Sequence, residues 1–553
     1  MRSIAMPKKR ESIIAIAYER LSAAPYYWLS LAVTGILIII NFVWLRADMT
    51  PPPFDQAWYL ETSQRLYSAL VKDGIFGCFI AFTKALGGIK APLLTALPLP
   101  FYLIFGNHQL AAMCVNFMFM LILTHSVFRI GEHYFGERAG FIAALVIQTM
   151  PMVYALSRQF FMEYALAAMV SLFVLFLIRS DNFTKRGYNT ALGILFGLGM
   201  LTKITFPLYV GLPCLWALVS RWRGEKKFID RAFIIEMVKI GAISFCIAAV
   251  WYVRNFKTTF PYTFSTSYGV VANDYGSEKV FALSTLAAYF TTIGAYVISY
   301  YYVVLGLLAV IALSAAIILR RKKKDAVPLA GVALLLLWLV TDIVFMSGRN
   351  KEIRYVVPLM PAFAILIGAG FTAFLPRMHH VFFLAVAALV LTLPAVDLVR
   401  KSFFIPQYYN AFYLHTPDRR DWHIRDVVEH VYRGAQRMQN ASPYVIVAVE
   451  HIAVSANTLS YYAASRQYDS PIYFTSLGYG EKNAANTFRR INEFKPSFIL
   501  FLDNSGDLTP FLNAMNATVR RAADNGEIPY RFEKRYELSF GPRIVLYRRT
   551  AKN

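Results

Sequence analysis

Residues 26–45 read YYWLSLAVTGILIIINFVWL, and after five more residues the chain enters Pro51-Pro52-Pro53-Phe54-Asp55-Gln56-Ala57-Trp58-Tyr59. An uncharged apolar run of this length is enough for a helix to cross the hydrocarbon core of a bilayer, which takes about 20 residues. The proline run that follows leads to a carboxylate flanked by Phe54, Trp58 and Tyr59. An ionisable group is thereby placed just outside the first span, where it can act on a substrate carried by a lipid. The rest of the chain repeats the theme, with apolar runs separated by short charged loops.

The 553 residues are 57% hydrophobic and 16% charged, with a mean hydropathy of +0.45. So little charge excludes an ordinary soluble globule and implies a polytopic α-helical membrane protein. Eleven spans are expected, at 26–45, 108–130, 138–157, 162–179, 188–202, 206–221, 232–253, 296–319, 326–346, 353–375 and 379–398. The segment 281–295 reads as either a further span or an interfacial helix. The net charge of +23 would raise nucleic acid as a partner for a soluble protein. Here the basic residues gather in loops between spans, so topology accounts for them and no nucleic-acid partner is expected.

With the basic N-terminus (Lys8, Lys9, Arg10, Arg20) in the cytoplasm, the inside loops carry Arg129 and Arg138, then Arg179, Lys185 and Arg186. They continue with Arg221, Arg223, Lys226, Lys227 and Arg231, the run 320–324, and Arg377. All agree with a positive-inside orientation. The odd number of spans then puts residues 400–553 outside. The first span has no small-residue cleavage site and reads as a retained anchor. The expected organisation is a cytoplasmic N-terminus (1–25), a transmembrane catalytic domain (26–399) whose first outer loop is 47–107, and an outer domain (400–553).

Within the first outer loop, Trp58, Tyr59, Thr62, Leu66, Ala69 and Leu70 share one helical face, whereas Glu61, Gln64, Arg65 and Lys72 fall elsewhere. That pattern predicts a helix lying in the membrane interface. The C-terminal region changes character. Strand-length apolar runs at 444–449, 471–474, 497–502, 531–539 and 542–548 are interleaved with helix-like stretches such as 420–438 and 481–494. This predicts a small α/β domain. Of four cysteines, Cys114, Cys214 and Cys246 fall in predicted spans and Cys78 in the first outer loop, with no CxxC to hold a metal.

On this topology one face collects Asp55, Lys72, Asp73, Lys84 and Lys90 from the first loop, and Arg158 and Glu163 from the second. Lys203, Arg254, Arg349, Lys351, Glu352 and Arg354 come from later loops. Acids and bases converging at span ends point to an anionic ligand and acid–base chemistry. A lipid-linked phosphate would suit Lys203, Arg254 and Arg354, since Arg can hold two phosphate oxygens and Lys adds a point charge. Each residue also has a structural alternative. Asp55 could cap the helix it precedes. Lys203 could snorkel to the interface. Arg254, beside Trp251 and Tyr252, could anchor a span. Glu163 could pair with Arg158, and 349–354 could be a solvated turn. His108, His125 and His133 lack metal-ligand spacing and read as structural.

Several segments resemble the GT-C superfamily of integral-membrane glycosyltransferases, in the branch of protein O-mannosyltransferases and the lipid A aminoarabinose transferases. Asp55-Gln56-Ala57-Trp58-Tyr59 resembles the family's first-loop Asp-Glu-x-x-Tyr. Phe135-Gly136-Glu137-Arg138-Ala139-Gly140 resembles the start of its third span. Ser157-Arg158-Gln159-Phe160-Phe161-Met162-Glu163 looks like its second outer loop, and Gly197-Leu198-Gly199-Met200-Leu201-Thr202-Lys203 is similar to its Gly-x-x-x-Leu-Thr-Lys segment. Trp251-Tyr252-Val253-Arg254-Asn255 and 354–361 match in kind, and the likeness covers most of 26–375.

The resemblance implies a multi-pass protein of the bacterial inner membrane that transfers a sugar from a polyprenyl-phosphate donor, with inversion, on the periplasmic side. It implies Asp55 as general base, Glu163 as a second catalytic acid, and Lys203, Arg254, Arg354 and Arg158 around the donor phosphate. Gln56, Tyr59 and Lys84 are candidate substrate contacts, and the loop 255–285, with Gly269 and Gly276, is a candidate lid. The acceptor implied is lipid A, another glycolipid or a polysaccharide, with a protein Ser or Thr as the alternative. Two positions depart from the pattern: Gln56 replaces a second acid, and Glu163 stands where Asp is usual. A neutral Gln weakens the case for a divalent metal, which prefers carboxylates, so metal dependence stays open. The competing classes are a lipid-linked sugar transporter or flippase, which would show inverted repeats and broken mid-membrane helices, and a non-catalytic scaffold.

Overall fold

The computed structural model describes residues 25–224, 230–269, 272, 279–320, 327–375, 378–405, 414–438, 443–466, 472–478, 480–506 and 508–550. The expected N-terminal segment, the basic residues Lys226, Lys227, 321–324 and Arg377, and Gly276 of the expected lid lie outside the described residues.

The apolar runs fold as helices: α1 (Pro25–Ala47), α2 (Phe54–Lys84), α3 (Gln109–Phe135), α4 (Glu137–Thr149), α5 (Met162–Arg179), α6 (Arg186–Thr202) and α7 (Phe206–Gly224). They continue with α8 (Arg231–Ser267), α9 (Leu283–Thr292), α10 (Tyr300–Arg320), α11 (Leu329–Val340), α12 (Met360–Phe374) and α13 (His380–Phe403). Helices α5 and α12 are apolar all round and lie in the middle of the bundle, as such helices must. Close packing there depends on small residues: a Cβ on Gly370 of α12 would stand 2.3 Å from the Cβ of Ala309 on α10.

Each of the eleven expected spans falls on helical structure, but they differ in kind. Nine helices among the described residues are long and apolar enough to cross a membrane, and the stretch Phe54–Gly88 is one of them. The expected spans 138–157, 188–202 and 206–221 fall short of that standard. The first is broken where Met150 turns extended ahead of Pro151, giving α4 and a separate short helix, Pro151–Leu156. Helix α2 bends at Gly74, whose φ of 69° and ψ of −166° are not helical. Its first half buries Gln56, Ala57, Tyr59, Leu60, Thr62, Ser63, Gln64 and Leu66. This face is broader than the amphipathic stripe in the sequence, because polar residues are also covered. The segment 281–295 becomes α9 running into a π-turn, Ile293–Ile298.

Helix α8 is 37 residues long, about 55 Å at 1.5 Å per residue. That exceeds a bilayer core of about 30 Å, so α8 extends well past the span expected at 232–253. Much of the expected lid, from residue 255 to Ser267, is therefore helix.

The C-terminal domain is the expected α/β unit. Helix α14 (Ile424–Arg437) precedes β1 (Tyr444–Val447), α15 (Ala456–Arg466), β2 (Tyr473–Ser476), α16 (Ala484–Phe494) and β3 (Phe498–Asp503). Helix α17 (Asn516–Asp524), β4 (Tyr530–Glu537) and β5 (Arg543–Arg549) complete it. The strand order is β2-β1-β3-β5-β4. β1 pairs in parallel with β2 and β3, whereas β5 pairs antiparallel with β3 and β4. Alternation sorts the strand residues to two faces. Val445, Val447 and Leu500 pack with Val428, Val431 and Leu459 of α14 and α15. Ile446, Ile499 and Val545 pack with Ile491, Val519 and Ala523 of α16 and α17.

Helix α15 ties this domain to the membrane domain. It packs along the first half of α2. Asn457 donates to the Phe54 carbonyl at 3.3 Å and Thr458 to the Pro52 carbonyl at 3.1 Å. The segment leading into α14 adds to the joint, since the Asp418 amide donates to Asp48 Oδ1 at 2.9 Å.

Candidate active site

The three buried prolines bring the chain from α1 to α2, and α2 starts with Pro53 extended at the N-cap position. Asp55 therefore sits in the first turn and is not the cap, so its side chain is available for other partners. Its Oδ1 lies 2.9 Å from Lys90 Nζ and its Oδ2 3.3 Å from Arg354 Nη2. Arg354 Nε in turn lies 3.5 Å from Glu163 Oε1, which also accepts from Lys203 Nζ at 2.8 Å. Five charged side chains from five separate chain segments thus form one connected cluster.

Each member is placed by local structure. Glu163 is in the first turn of α5, where the helix dipole favours an anion, and its side chain is only 4% exposed. Its second oxygen, Oε2, has no hydrogen-bond partner among the described residues. Lys203 follows the last residue of α6 in extended conformation, so the helix ends by turning this side chain toward Glu163. The break between α6 and α7 depends on Gly199, because a Cβ there would come within 2.5 Å of the Phe206 ring. Lys90 follows a tight turn, Ala85–Gly88, held by the C-terminal half of α8. Thr259 donates to the Gly88 carbonyl at 2.7 Å and Asn255 to the Thr83 carbonyl at 2.8 Å. Arg354 lies on the 3-10 segment Ile353–Leu359 ahead of α12.

Aromatic rings line the cluster. Lys90 Nζ lies 5.1 Å from both the Trp58 and Tyr59 rings and donates to Tyr59 Oη at 3.1 Å. Lys203 sits 4.4 Å over the Tyr355 ring, and Arg354 5.0 Å over Phe161. Tyr209 Oη donates to the Tyr355 carbonyl at 2.7 Å and fixes that ring's backbone. Three cations face two carboxylates, which leaves one positive charge. Rings and low exposure make that charge reach further than it would in water, so the arrangement suits an anionic ligand that displaces one ion pair.

Of the residues singled out in the sequence, Asp55, Lys90, Glu163, Lys203, Arg354 and Tyr59 come together here. Arg158 goes elsewhere. It is 1% exposed and lodged between the Trp44 and Tyr154 rings at 4.2 and 4.5 Å, with Nη2 3.4 Å from Ser402 Oγ. Gln56 is buried and lines that second pocket with Arg158, because one position along a helix turns a side chain by about 100° from Asp55. Arg254 is exposed partway along α8, since the helix does not end where the apolar run does. Lys84 is exposed at the last residue of α2. The alternative pairing of Glu163 with Arg158 is replaced by pairing with Lys203 and Arg354. Lys90 was placed on this face from the sequence but given no role there, and Tyr355 was not assigned to the site. The signal available for Lys90 was the Gly87-Gly88 turn just before it. Among the described residues no three His, Cys, Asp or Glu side chains come together in a metal-binding group.

Comparison with known proteins follows the same lines. ArnT from Cupriavidus metallidurans in the apo state superposes with a TM-score of 0.59 at 14% identity, over 95% of this chain and 98% of that one. Its undecaprenyl phosphate complex gives 0.56 at 16% identity over the same shares. The chain has the GT-C fold. Other GT-C structures match more remotely. The mycobacterial arabinofuranosyltransferase AftD gives 0.55 at 11% identity, over 94% of this chain and 40% of that one. The Archaeoglobus fulgidus oligosaccharyltransferase AglB gives 0.53 at 10% identity, over 86% and 69%. Residues 90–252 match the dolichyl-phosphate-mannose-protein mannosyltransferase family model. No curated protein sequence matches. The GT-C fold makes this a multi-pass membrane protein, and the matched stretch 90–252 carries Lys90, Glu163 and Lys203.

Proposed function

We propose that this protein is a glycosyltransferase that moves a sugar from a polyprenyl-phosphate donor to lipid A, another glycolipid or a polysaccharide, on the outer face of a bacterial inner membrane. The observation that carries the reading is Asp55 held by two cations in a cluster with an excess positive charge. A donor phosphate competes with Asp55 and Glu163 for Lys90, Lys203 and Arg354. Its arrival draws Lys90 or Arg354 away and frees a carboxylate oxygen on Asp55. The acceptor hydroxyl then attacks the anomeric carbon, its proton passes to Asp55, and the bond to the phosphate oxygen breaks with its electron pair. The three cations stabilise the charge that develops on the leaving phosphate. One displacement inverts the anomeric centre.

Glu163 is assigned a positioning role, since its carboxylate is buried behind Lys203 and Arg354. ArnT bound to undecaprenyl phosphate and AglB in complex with a dolichol-phosphate support a lipid-phosphate donor. The match at 90–252 supports a second reading, transfer to a protein Ser or Thr. The test is mass spectrometry of the cell envelope from a deletion strain, and from strains restored with wild type or Asp55→Asn at equal expression. Loss of one glycan mass that only the wild type restores is the expected result. Its attachment to lipid, polysaccharide or protein then separates the two readings. Restoration by both forms overturns the role of Asp55.

A further inference from the structure

Beyond the charged cluster, a cavity lies beside the π-turn. The turn Ile293–Ile298 ends at Ser299, whose φ of 76° and ψ of 146° put it in a region that favours glycine. Ser299 is 4% exposed, and its hydroxyl has no hydrogen-bond partner among the described residues. It lines a cavity of about 370 Å³ together with Pro151, Tyr300, Tyr301, Asp397 and Lys401. That size falls within the roughly 300–1,000 Å³ of small-ligand pockets.

The chemistry of the walls narrows the ligand. Asp397 and Lys401 stand one turn apart on α13 and pair at 2.7 Å, so they cancel each other's charge. Phosphate gains nothing from a neutral pair, unlike the net positive cluster at Asp55. The pair instead offers an acceptor and a donor side by side, which suits adjacent hydroxyls. Tyr300 and Tyr301, 58% and 43% exposed, supply aromatic faces for the C–H side of a sugar ring. The buried Ser299 hydroxyl adds one more polar group.

Position connects the cavity to transfer. The π-turn packs against Ile353–Leu359, the segment that carries Arg354, and the Pro151–Leu156 helix packs against both. We propose that this cavity is a carbohydrate subsite that holds a neutral sugar of the acceptor, one packing layer from the point of transfer. The acceptor assignment rests on the glycosyltransfer reading, whereas sugar binding by the cavity does not.

The test uses the full-length protein in lipid nanodiscs and saturation-transfer NMR with maltose, cellobiose and mannobiose as probes. At least one disaccharide should contact wild type and Asp55→Asn alike. The signal should fall about fivefold, the loss of one neutral hydrogen bond, in Ser299→Gly, and further in the double variant Tyr300→Ala/Tyr301→Ala. Ser299→Gly relieves the left-handed backbone, so its melting temperature should match or exceed wild type, which separates a lost contact from misfolding. Absence of contact with wild type, unchanged signal in both variants, or displacement of the disaccharide by glycerophosphoethanolamine would overturn the sugar site. In a transfer assay the cavity variants should raise KM for the acceptor. A rise in KM for the donor instead would overturn the acceptor assignment. Failure of the envelope experiment with a retained NMR contact would sink the transfer reading alone.

Discussion

In the proposed reaction a single aspartate placed among cations is the centre of the chemistry, and its neighbours decide what each substitution does. Asp55→Asn removes the proposed proton acceptor but keeps the shape. Lys90 retains Tyr59 and two rings, and Arg354 retains Glu163. Transfer from a purified polyprenyl-phosphate sugar should fall at least about 10²-fold, with the melting temperature nearly unchanged. Glu163 behaves differently. It is the buried counter-charge for Lys203 and Arg354, so Glu163→Ala should cost about 3–5 kcal/mol and lower the melting temperature clearly. Glu163→Gln should keep more of the fold and raise donor KM more than it lowers kcat. Equal effects on donor and acceptor KM would contradict a positioning role.

At the scale of elements, the site depends on where helices stop. Lys203 reaches Glu163 because α6 ends at Thr202, and α7 begins after three intervening residues with Phe206 against Gly199. Gly199→Val forces that ring away and should cost about 1–3 kcal/mol by overpacking, with weaker donor use. Gly211→Ala on α7, where nothing lies within 4 Å, should be close to neutral in the same melting assay. Apolar periodicity made nearly every helix legible, and strand-length runs made the five-stranded sheet legible. Helices α15 and α17 were not singled out, because α15 is polar and mixed with no strong apolar period, and α17, though amphipathic, is only 9 residues long. Helix ends were the other gap. The more polar C-terminal half of α8 continues a helix that hydropathy ends near residue 253, since hydropathy reports the membrane and not the hydrogen-bond ladder. Arg254 followed that error, and the pairing of Lys90 with Asp55 was hidden because its direction depends on a turn with Leu86, Gly87 and Gly88 all at positive φ.

For the whole molecule, the joint between domains sets the frame of the site. Asn457 and Thr458 hold the carbonyls that lead into Asp55, so Asn457→Ala/Thr458→Val removes two bonds of about 0.5–1.5 kcal/mol each. Limited proteolysis should then release the C-terminal domain faster, and transfer should fall without any charged residue having changed. The domain also carries its own pH response. Burial raises the Glu450 carboxyl from 4.5 to about 7, while Asn513 bonds both its backbone groups. Stability from the neutral form is full below about pH 4.5 and is lost as pH rises through about 7. Hydrogen exchange in this domain should therefore speed up from pH 5 to pH 8 after correction for intrinsic rates. Glu450→Gln, neutral throughout, should abolish that trend and be more stable at pH 8 by at most about 3 kcal/mol.

By itself, the sequence determined what solvent each segment prefers. Long uncharged runs must enter a bilayer and short alternating runs must form a sheet, and both follow from local composition. It also brought Asp55, Glu163, Lys203 and Arg354 to one face, because charges at span ends have nowhere else to go. Only the tertiary structure decided which of them touch. Arg158 and Glu163 are five residues apart, yet one is stacked between Trp44 and Tyr154 and the other is bound to Lys203 and Arg354. The partner of a side chain depends on the angle at which its helix begins and on what packs opposite. Those are set by contacts between segments hundreds of residues apart, such as Asp55 with Arg354, which no local pattern encodes.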